Sequence, residues 1–178
     1  MTTKTTRILI ADDHSLIRQG LKTIIEFQET LSVVCECDNG VDAISNMKLL
    51  KPDVAIIDVN MPGKTGLEVL EEAKIAGLKS KIIMLTVESD RKTLMSAIEF
   101  GADGFILKDS DAKDILDAVY EVVKGENYID KRLVKLLIYD LKHKVAGHND
   151  ELLFSELTNR EFDVLELISR GMTNAEIA

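Results

Sequence analysis

Five polar residues in the first 110 positions follow or end short apolar runs, a placement typical of chemistry at the ends of strands. They are Asp12, Asp13, Asp58, Thr86 and Lys108. Clustered carboxylates repel one another unless a cation joins them, and Mg²⁺ takes carboxylate oxygens, retained waters and phosphate oxygens as ligands. A lysine adds fixed positive charge, and a carboxylate can accept a phosphoryl group as an acyl phosphate. The set therefore predicts Mg²⁺-assisted phosphoryl chemistry, which depends mainly on positioning and charge neutralisation.

The elements that must position these groups follow an alternating pattern. Apolar runs predict five strands, which are Arg7–Ala11, Leu31–Glu36, Asp53–Asp58, Ser80–Leu85 and Gly104–Leu107. Between them, three-or-four spacing of apolar residues predicts helices over about 15–28, 40–50, 65–76, 90–100 and 111–124. Gly77, Gly101 and Gly125 each stand just past a helix, where a left-handed residue commonly ends it. Five β–α repeats predict an α/β fold, a doubly wound parallel sheet with helices on both faces.

Ligands of such sheets bind beyond the carboxyl ends of the strands. All five polar groups fall at that edge, so we expect them to converge. Asp58 stands alone at the centre of the sheet and suits the role of phosphoacceptor, whereas the adjacent Asp12 and Asp13 suit metal ligation. Each residue taken singly has a simpler interpretation, such as Asp13 capping the first helix, and only their joint placement favours a site.

Composition narrows the class of protein. The chain has 178 residues, 46% hydrophobic and 30% charged, which excludes disorder over most of its length. It contains no apolar run long enough to span a membrane and no recognisable signal peptide, so we expect a cytoplasmic protein without membrane contact. Cys35 and Cys37 are expected to be buried free thiols, and His14, His143 and His148 to be surface residues.

The motifs resemble the receiver domain of bacterial response regulators over about residues 5–125. The resemblance rests on Asp12-Asp13, on the run from Asp58 to Gly63 (DVNMPG), on Thr86, and on the run from Gly101 to Lys108 (GADGFILK). It implies a flavodoxin-like five-stranded fold in which a partner histidine kinase phosphorylates Asp58. It also implies that Asp12, Asp13, Asp58 and the backbone carbonyl of Asn60 hold Mg²⁺.

The same resemblance assigns a switch. Lys108 would pair with the phosphoryl oxygens, and Thr86 would donate a hydrogen bond to them. Phe105 stands where the family places its switch aromatic, and it would enter the space that Thr86 vacates. Phenylalanine lacks the hydroxyl of the tyrosine that is common at this position, so a switch step that needs that hydroxyl is not expected here.

The rest of the chain predicts a linker and part of a second domain. Residues 131–150 carry a net charge of +3 between segments of −8 (residues 1–130) and −4 (residues 151–178), and residues 131–144 form an amphipathic helical pattern. Two capping boxes, Thr158–Glu161 and Thr173–Glu176, lie on either side of an amphipathic helical pattern of apolar residues. Gly171 is expected to end that helix. The segment resembles the first half of a LuxR-type (NarL/FixJ class) helix-turn-helix domain.

We therefore expect a receiver at 1–126, a linker with an amphipathic helix at 127–150, and the start of a DNA-binding domain at 151–178. Because the recognition helix would follow residue 178, this chain contributes no DNA-binding residue and should not bind DNA specifically. The full-length protein would bind DNA and form a homodimer when phosphorylated.

The sequence thus favours a two-component response regulator that controls transcription, not a metabolic enzyme. Two alternatives remain. One is a stand-alone receiver-type interaction module without DNA output. The other is a phosphatase with Asp58 as nucleophile, although Asn60 stands where a haloacid-dehalogenase-type phosphatase carries a second aspartate.

Overall fold

A parallel β-sheet flanked by helices forms the described part of the chain, residues 5–87 and 91–135 of a computed structural model. The strands are β1 (Thr6–Ala11), β2 (Leu31–Cys37), β3 (Val54–Asp58), β4 (Lys81–Thr86), β5 (Gly104–Leu107) and β6 (Tyr128–Ile129). The helices are α1 (Ser15–Glu26), α2 (Gly40–Leu50), α3 (Gly66–Ile75), α4 (Arg91–Glu99) and α5 (Ala112–Lys124). This alternation confirms the predicted doubly wound α/β fold.

The order of the strands places β3 at the centre of the sheet. The order is β2-β1-β3-β4-β5-β6, and β1 to β5 pair in parallel. In the register, Ala11 lies beside Ile57, and Asp58 lies beside Leu85. The carboxyl ends of β1, β3, β4 and β5 therefore lie side by side, as the crossover rule for parallel sheets requires.

Alternate residues of each strand point to opposite faces and build two apolar layers. On one face, α1 and α5 cover a core that includes Ile10, Ile56 and Ile106. The opposite face holds the intervening strand residues, such as Leu9 and Ile57, on the side of α2 and α3. The strands are thus apolar on both sides, which is why they read as nearly continuous hydrophobic runs in the sequence.

Local signals set the helix ends. The side chains of Asn39, Thr65 and Asp111 accept backbone hydrogen bonds at the starts of α2, α3 and α5. After α3 and α5, Gly77 and Gly125 take φ values of 66° and 94°, the left-handed conformation predicted for them.

The ends of β1 to β4 differ from the prediction by one residue, and two further departures occur. A sixth strand of two residues, β6, lies at the sheet edge beside β5, and its shortness left no apolar pattern to detect. Helix α1 ends at Glu26, two residues early, and Phe27 beyond it is exposed. None of the helices in the described ranges combines the length and apolar character needed to cross a bilayer.

The chain divides into two compact units, Met1–Tyr128 and Ile129–Ala178. Of the predicted linker helix at 131–144, only residues 131–135 are described, and their backbone is helical. Both capping boxes and the segment that resembles a LuxR-type domain lie outside the described residues, so their predicted boundaries stay predictions.

Candidate functional site

Four adjacent strands deliver the polar residues to one edge of the sheet. Asp12 directly follows β1, and its backbone N–H donates to the Cys37 carbonyl at the end of β2, over 3.1 Å. Asp58 is the last residue of β3, and Thr86 is the last residue of β4. Lys108 follows β5, where its N–H donates to the Thr86 carbonyl over 2.7 Å. Backbone pairing thus fixes where each side chain leaves the sheet.

A buried ammonium bridges two buried carboxylates at the centre of this edge. Lys108 Nζ lies 2.8 Å from Asp58 Oδ2 and 2.7 Å from Asp12 Oδ2. The side chains of Lys108, Asp58 and Asp12 are only 7%, 2% and 0% exposed. The structure therefore brings together three residues from three strand ends that are about 50 positions apart in sequence.

Burial and neighbouring charges shift the protonation of this triad. Burial raises the pKa of Asp58, and the charge of Asp12 adds to this, while Lys108 and the Asn60 backbone N–H oppose it. Burial alone would lower the pKa of Lys108, but the close contacts with Asp12 and Asp58 outweigh it and the pKa is raised. Lys108 is therefore stabilised as a cation, and its charge opposes the rise in the pKa of Asp58.

Two further residues complete an acidic cluster. The His14 backbone N–H donates to Asp12 Oδ1 over 2.8 Å, and His14 Nδ1 lies 2.7 Å from Asp13 Oδ1. Side-chain ligand atoms of Asp12, Asp13, His14 and Asp58 all lie within 4.8 Å of one another. Sequence reasoning placed His14 on the surface, and its ring is indeed 65% exposed, but it missed that the ring reaches the carboxylates. The sequence offered one signal for this contact, because His14 directly follows the aspartate pair.

The simpler interpretation of Asp13 as a helix cap does not apply. The N-cap residue of α1 is His14, and no side-chain hydrogen bond caps this helix. Asp13 is half-exposed and its carboxylate faces His14 instead, so it remains available to the cluster.

The donor set suits a hard divalent cation. Asp12 Oδ2 is buried, and its partner is Lys108 Nζ at 2.7 Å. The carboxylates of Asp12, Asp13 and Asp58 together match the oxygen coordination that Mg²⁺ prefers.

The loop after β3 is held against the strand ends by backbone contacts. The Val59 N–H donates to the Leu85 carbonyl over 2.9 Å, and the Gly66 N–H donates to the Val59 carbonyl over 2.8 Å. A Cβ at Gly66 would collide with the backbone carbonyl of Asp58, so only glycine lets α3 begin this close to the acceptor. Sequence reasoning did not single out Gly66. The role predicted for the Asn60 carbonyl stays a prediction.

The predicted switch residues are both in the core. Thr86 is 3% exposed and Phe105 is 2% exposed. In the register, Phe105 pairs with Met84, two residues before Thr86. Phe105 is already buried in this structure, so any movement coupled to Thr86 would start from a buried ring. The predicted relay stays a prediction.

Comparisons with known proteins agree with this geometry. The sequence model of the response regulator receiver domain matches residues 8–120. The chain belongs to the response regulator family. It is 34% identical to the nitrate/nitrite response regulator protein NarL of Escherichia coli K12 over 96% of this chain and 78% of NarL. It is 36% identical to the oxygen regulatory protein NreC of Staphylococcus haemolyticus over 97% of this chain and 81% of NreC.

Solved structures give the same family. The signal receiver domain of NarL from Mycobacterium tuberculosis superposes with a TM-score of 0.68 at 32% identity, covering 69% of this chain and 99% of that one. The RcsB response regulator of Salmonella typhimurium gives a TM-score of 0.73 at 27% identity, covering 98% of this chain and 82% of RcsB. This response regulator is therefore a LuxR-family member of a two-component system that controls transcription.

Proposed function

We propose that Asp58 is the phosphoacceptor of this response regulator and that a sensor histidine kinase is the donor. The observation that supports this best is the buried Asp58 carboxylate held by Lys108 at the central strand end, beside a second buried carboxylate. In the transfer, an Asp58 oxygen forms a bond to phosphorus while the bond from phosphorus to the donor's nitrogen breaks. Lys108 favours the ionised form of Asp58 beforehand and pairs with the phosphoryl oxygens afterwards.

Asp12, Asp13, Asp58 and the Asn60 backbone carbonyl would hold Mg²⁺. When bound, the ion supplies charge neutralisation for the phosphoryl oxygens. The buried Asp12 carboxylate supports this assignment, since it adjoins the carboxylates of Asp13 and Asp58. Asp13 is the more exposed member, which leaves an open side where a donor can approach.

Phosphorylation would switch the receiver through Thr86. An acyl phosphate at Asp58 adds up to about two negative charges and three acceptor oxygens. Reversing the ratio of active to inactive receiver conformations from 1:99 to 99:1 takes about 5.5 kcal/mol. Two to three charge-assisted hydrogen bonds, at about 1.5–3 kcal/mol each, supply that amount. Lys108 and the Thr86 hydroxyl are the donors placed at this strand edge, and Phe105 would follow Thr86.

The domain plan and partners follow from the same assignment. We assign residues 1–126 to the receiver, 127–150 to a linker and 151–178 to the start of the LuxR-type DNA-binding domain. The partners would be a sensor kinase in the cytoplasm and, for the full-length protein, DNA bound by a homodimer formed on phosphorylation. The NarL and NreC relatives, which align over nearly all of this chain, support this plan.

Incubation with a small-molecule phosphodonor, with and without Mg²⁺, tests the assignment by intact mass. We expect one adduct of about 80 Da, the mass of one HPO₃, that requires Mg²⁺ and is absent from Asp58→Asn. The matched control is Asp117→Asn, an exposed aspartate that also pairs with a lysine, and it should be phosphorylated normally. Repeated turnover of the donor without accumulation of the adduct would favour the phosphatase alternative. The absence of any Mg²⁺-dependent adduct would favour a non-catalytic interaction module.

A further inference from the structure

Two free cysteines lie two residues apart on β2, the strand at one edge of the sheet. Cys37 is 5% exposed, whereas Cys35 is only half-buried. Their Sγ atoms are 3.7 Å apart, well beyond the disulfide bond length of about 2.05 Å. The structure therefore places two reduced thiols side by side, with one of them partly open to solvent.

A register shift between β1 and β2 decides which way the thiols point. Ile8 of β1 pairs with Val33 of β2. The next residue, Leu9, pairs with Cys35, so β2 contains one extra residue between these two pairs. Because paired residues of neighbouring strands share a face, Cys35 points to the face of Leu9 and not to that of Val33. The shift therefore brings the thiols to the side of the sheet that α2 covers.

Helix α2 and the neighbouring strand hold Cys37 in place. Asn46 Nδ2 lies 3.7 Å from Cys37 Sγ and donates to the Asp42 carbonyl over 2.9 Å, so the amide is fixed against the thiol. At the backbone, the Cys37 carbonyl accepts from the Asp12 N–H over 3.1 Å. A ligand that reaches the thiols therefore meets two sulfur atoms that are already close together.

The distance between the sulfur atoms selects the kind of centre that can bridge them. Two sulfurs bound at about 2.3 Å to one centre are about 3.8 Å apart at a tetrahedral angle and about 4.6 Å apart in a straight line. The observed 3.7 Å fits the bent arrangement. A structural zinc site needs four ligands, but no third His, Cys, Asp or Glu joins the two thiols among the described residues. The ligand must therefore be a thiophilic centre that binds two sulfurs in a bent geometry and needs no further protein group.

We propose that Cys35 and Cys37 form a chelating dithiol site for trivalent arsenicals, which are three-coordinate and pyramidal. The third position keeps the ligand's own hydroxide or organic group. In the reaction each thiol gives its proton to one arsenic-bound hydroxide, which leaves as water, so that two As–S bonds replace two As–O bonds. Arsenic stays trivalent and no electron is transferred. Burial raises the pKa of the Cys37 thiol to about 12, so this thiol keeps its proton until a hydroxide leaves.

Intact mass of the full 178-residue chain tests the proposal, with phenylarsine oxide as the probe and a thiol-free reductant. We expect one adduct per chain, with the mass of one phenylarsenic group less two hydrogens. Cys35→Ser and Cys37→Ser leave one thiol each and should weaken binding about a hundredfold or more, because the second As–S bond then has no tethered partner. On the wild-type chain, the bound probe should resist an excess of a monothiol and be removed by dithiothreitol.

Ser32→Ala is the matched control, because it changes the same strand and leaves both thiols in place. It should bind the probe as the wild-type chain does. Far-UV circular dichroism checks folding, and Cys35→Ser, at the more exposed position, carries the test if Cys37→Ser does not fold. Equal binding by a folded single-thiol variant, two probes per chain, or an adduct that forms only in urea would overturn the proposal. The site uses neither Asp58 nor a bound cation, so the outcome is independent of the proposed function.

Discussion

Replacing Lys108 by methionine tests the electrostatic centre of the site. The change keeps an unbranched side chain of similar length and removes the only cation that contacts both Asp12 and Asp58 among the described residues. Two carboxylates that are almost fully buried then lack a countercharge. Removing one partner of a buried ion pair typically costs about 3–5 kcal/mol. We therefore expect Lys108→Met to lower the free energy of unfolding by about that amount in the absence of divalent ions.

Divalent ions and pH should modulate this loss in defined directions. An ion that binds only the folded state at one hundred times its dissociation constant adds about 2.7 kcal/mol, so Mg²⁺ should restore a large part of the loss. Without Lys108, the pKa of Asp58 should rise further above its ordinary value, because the burial that already raises it is no longer opposed. A raised pKa in the folded state means that stability is lost as the pH rises, so the deficit should be larger at pH 8 than at pH 5.

Urea unfolding followed by far-UV circular dichroism, with EDTA or with Mg²⁺, measures these effects. Lys113→Met is the matched control, because Lys113 also pairs with an aspartate, over 3.1 Å, but is 81% exposed. Exposed pairs contribute at most about 1 kcal/mol, so the control should change stability little in EDTA and should gain as much from Mg²⁺ as the wild-type chain does. A Lys108→Met chain as stable in EDTA as the control chain would refute the reasoning.

Three further perturbations test the surrounding structure. Gly66→Ala should cost about 1–3 kcal/mol in urea unfolding and slow phosphorylation, since its Cβ collides with the Asp58 carbonyl, whereas Gly20→Ala, with open space around it, should cost nothing. Asp103→Asn removes a carboxylate that accepts hydrogen bonds from the Ile82 N–H and from Lys81 Nζ. Burial would raise the pKa of Asp103, but these contacts lower it. Because a lowered pKa gives stability that is lost as the pH falls from about 3.8 through the folded-state pKa, the variant should lose about 2 kcal/mol at pH 7 and progressively less as the pH falls below 3.8. Thr86→Ala should acquire the Asp58 adduct normally and fail to activate a reporter in the full-length protein, and normal reporter output would show that the relay does not use Thr86.

Most of the fold could be predicted from the sequence because its signals are local. Runs such as Ile8–Ala11 and Val54–Ile57 are apolar without interruption, which is typical of strands covered on both faces. Parallel strands also have a fixed direction and their crossovers a fixed handedness, so the strand-end positions of Asp12, Asp58 and Lys108 predict their common edge. The two-residue strand β6 gave no such pattern and was missed.

Only the tertiary structure decided how the side chains at that edge share their contacts. The sequence does not show that one ammonium contacts both Asp12 and Asp58, that the exposed His14 ring contacts the acid pair, or that Gly66 lies against the acceptor's backbone. These facts depend on side-chain rotamers and on the distance between segments that are remote in the chain, and neither follows from local propensity. The amino-acid order determined which groups meet, and packing determined their separation, their burial and therefore their charge.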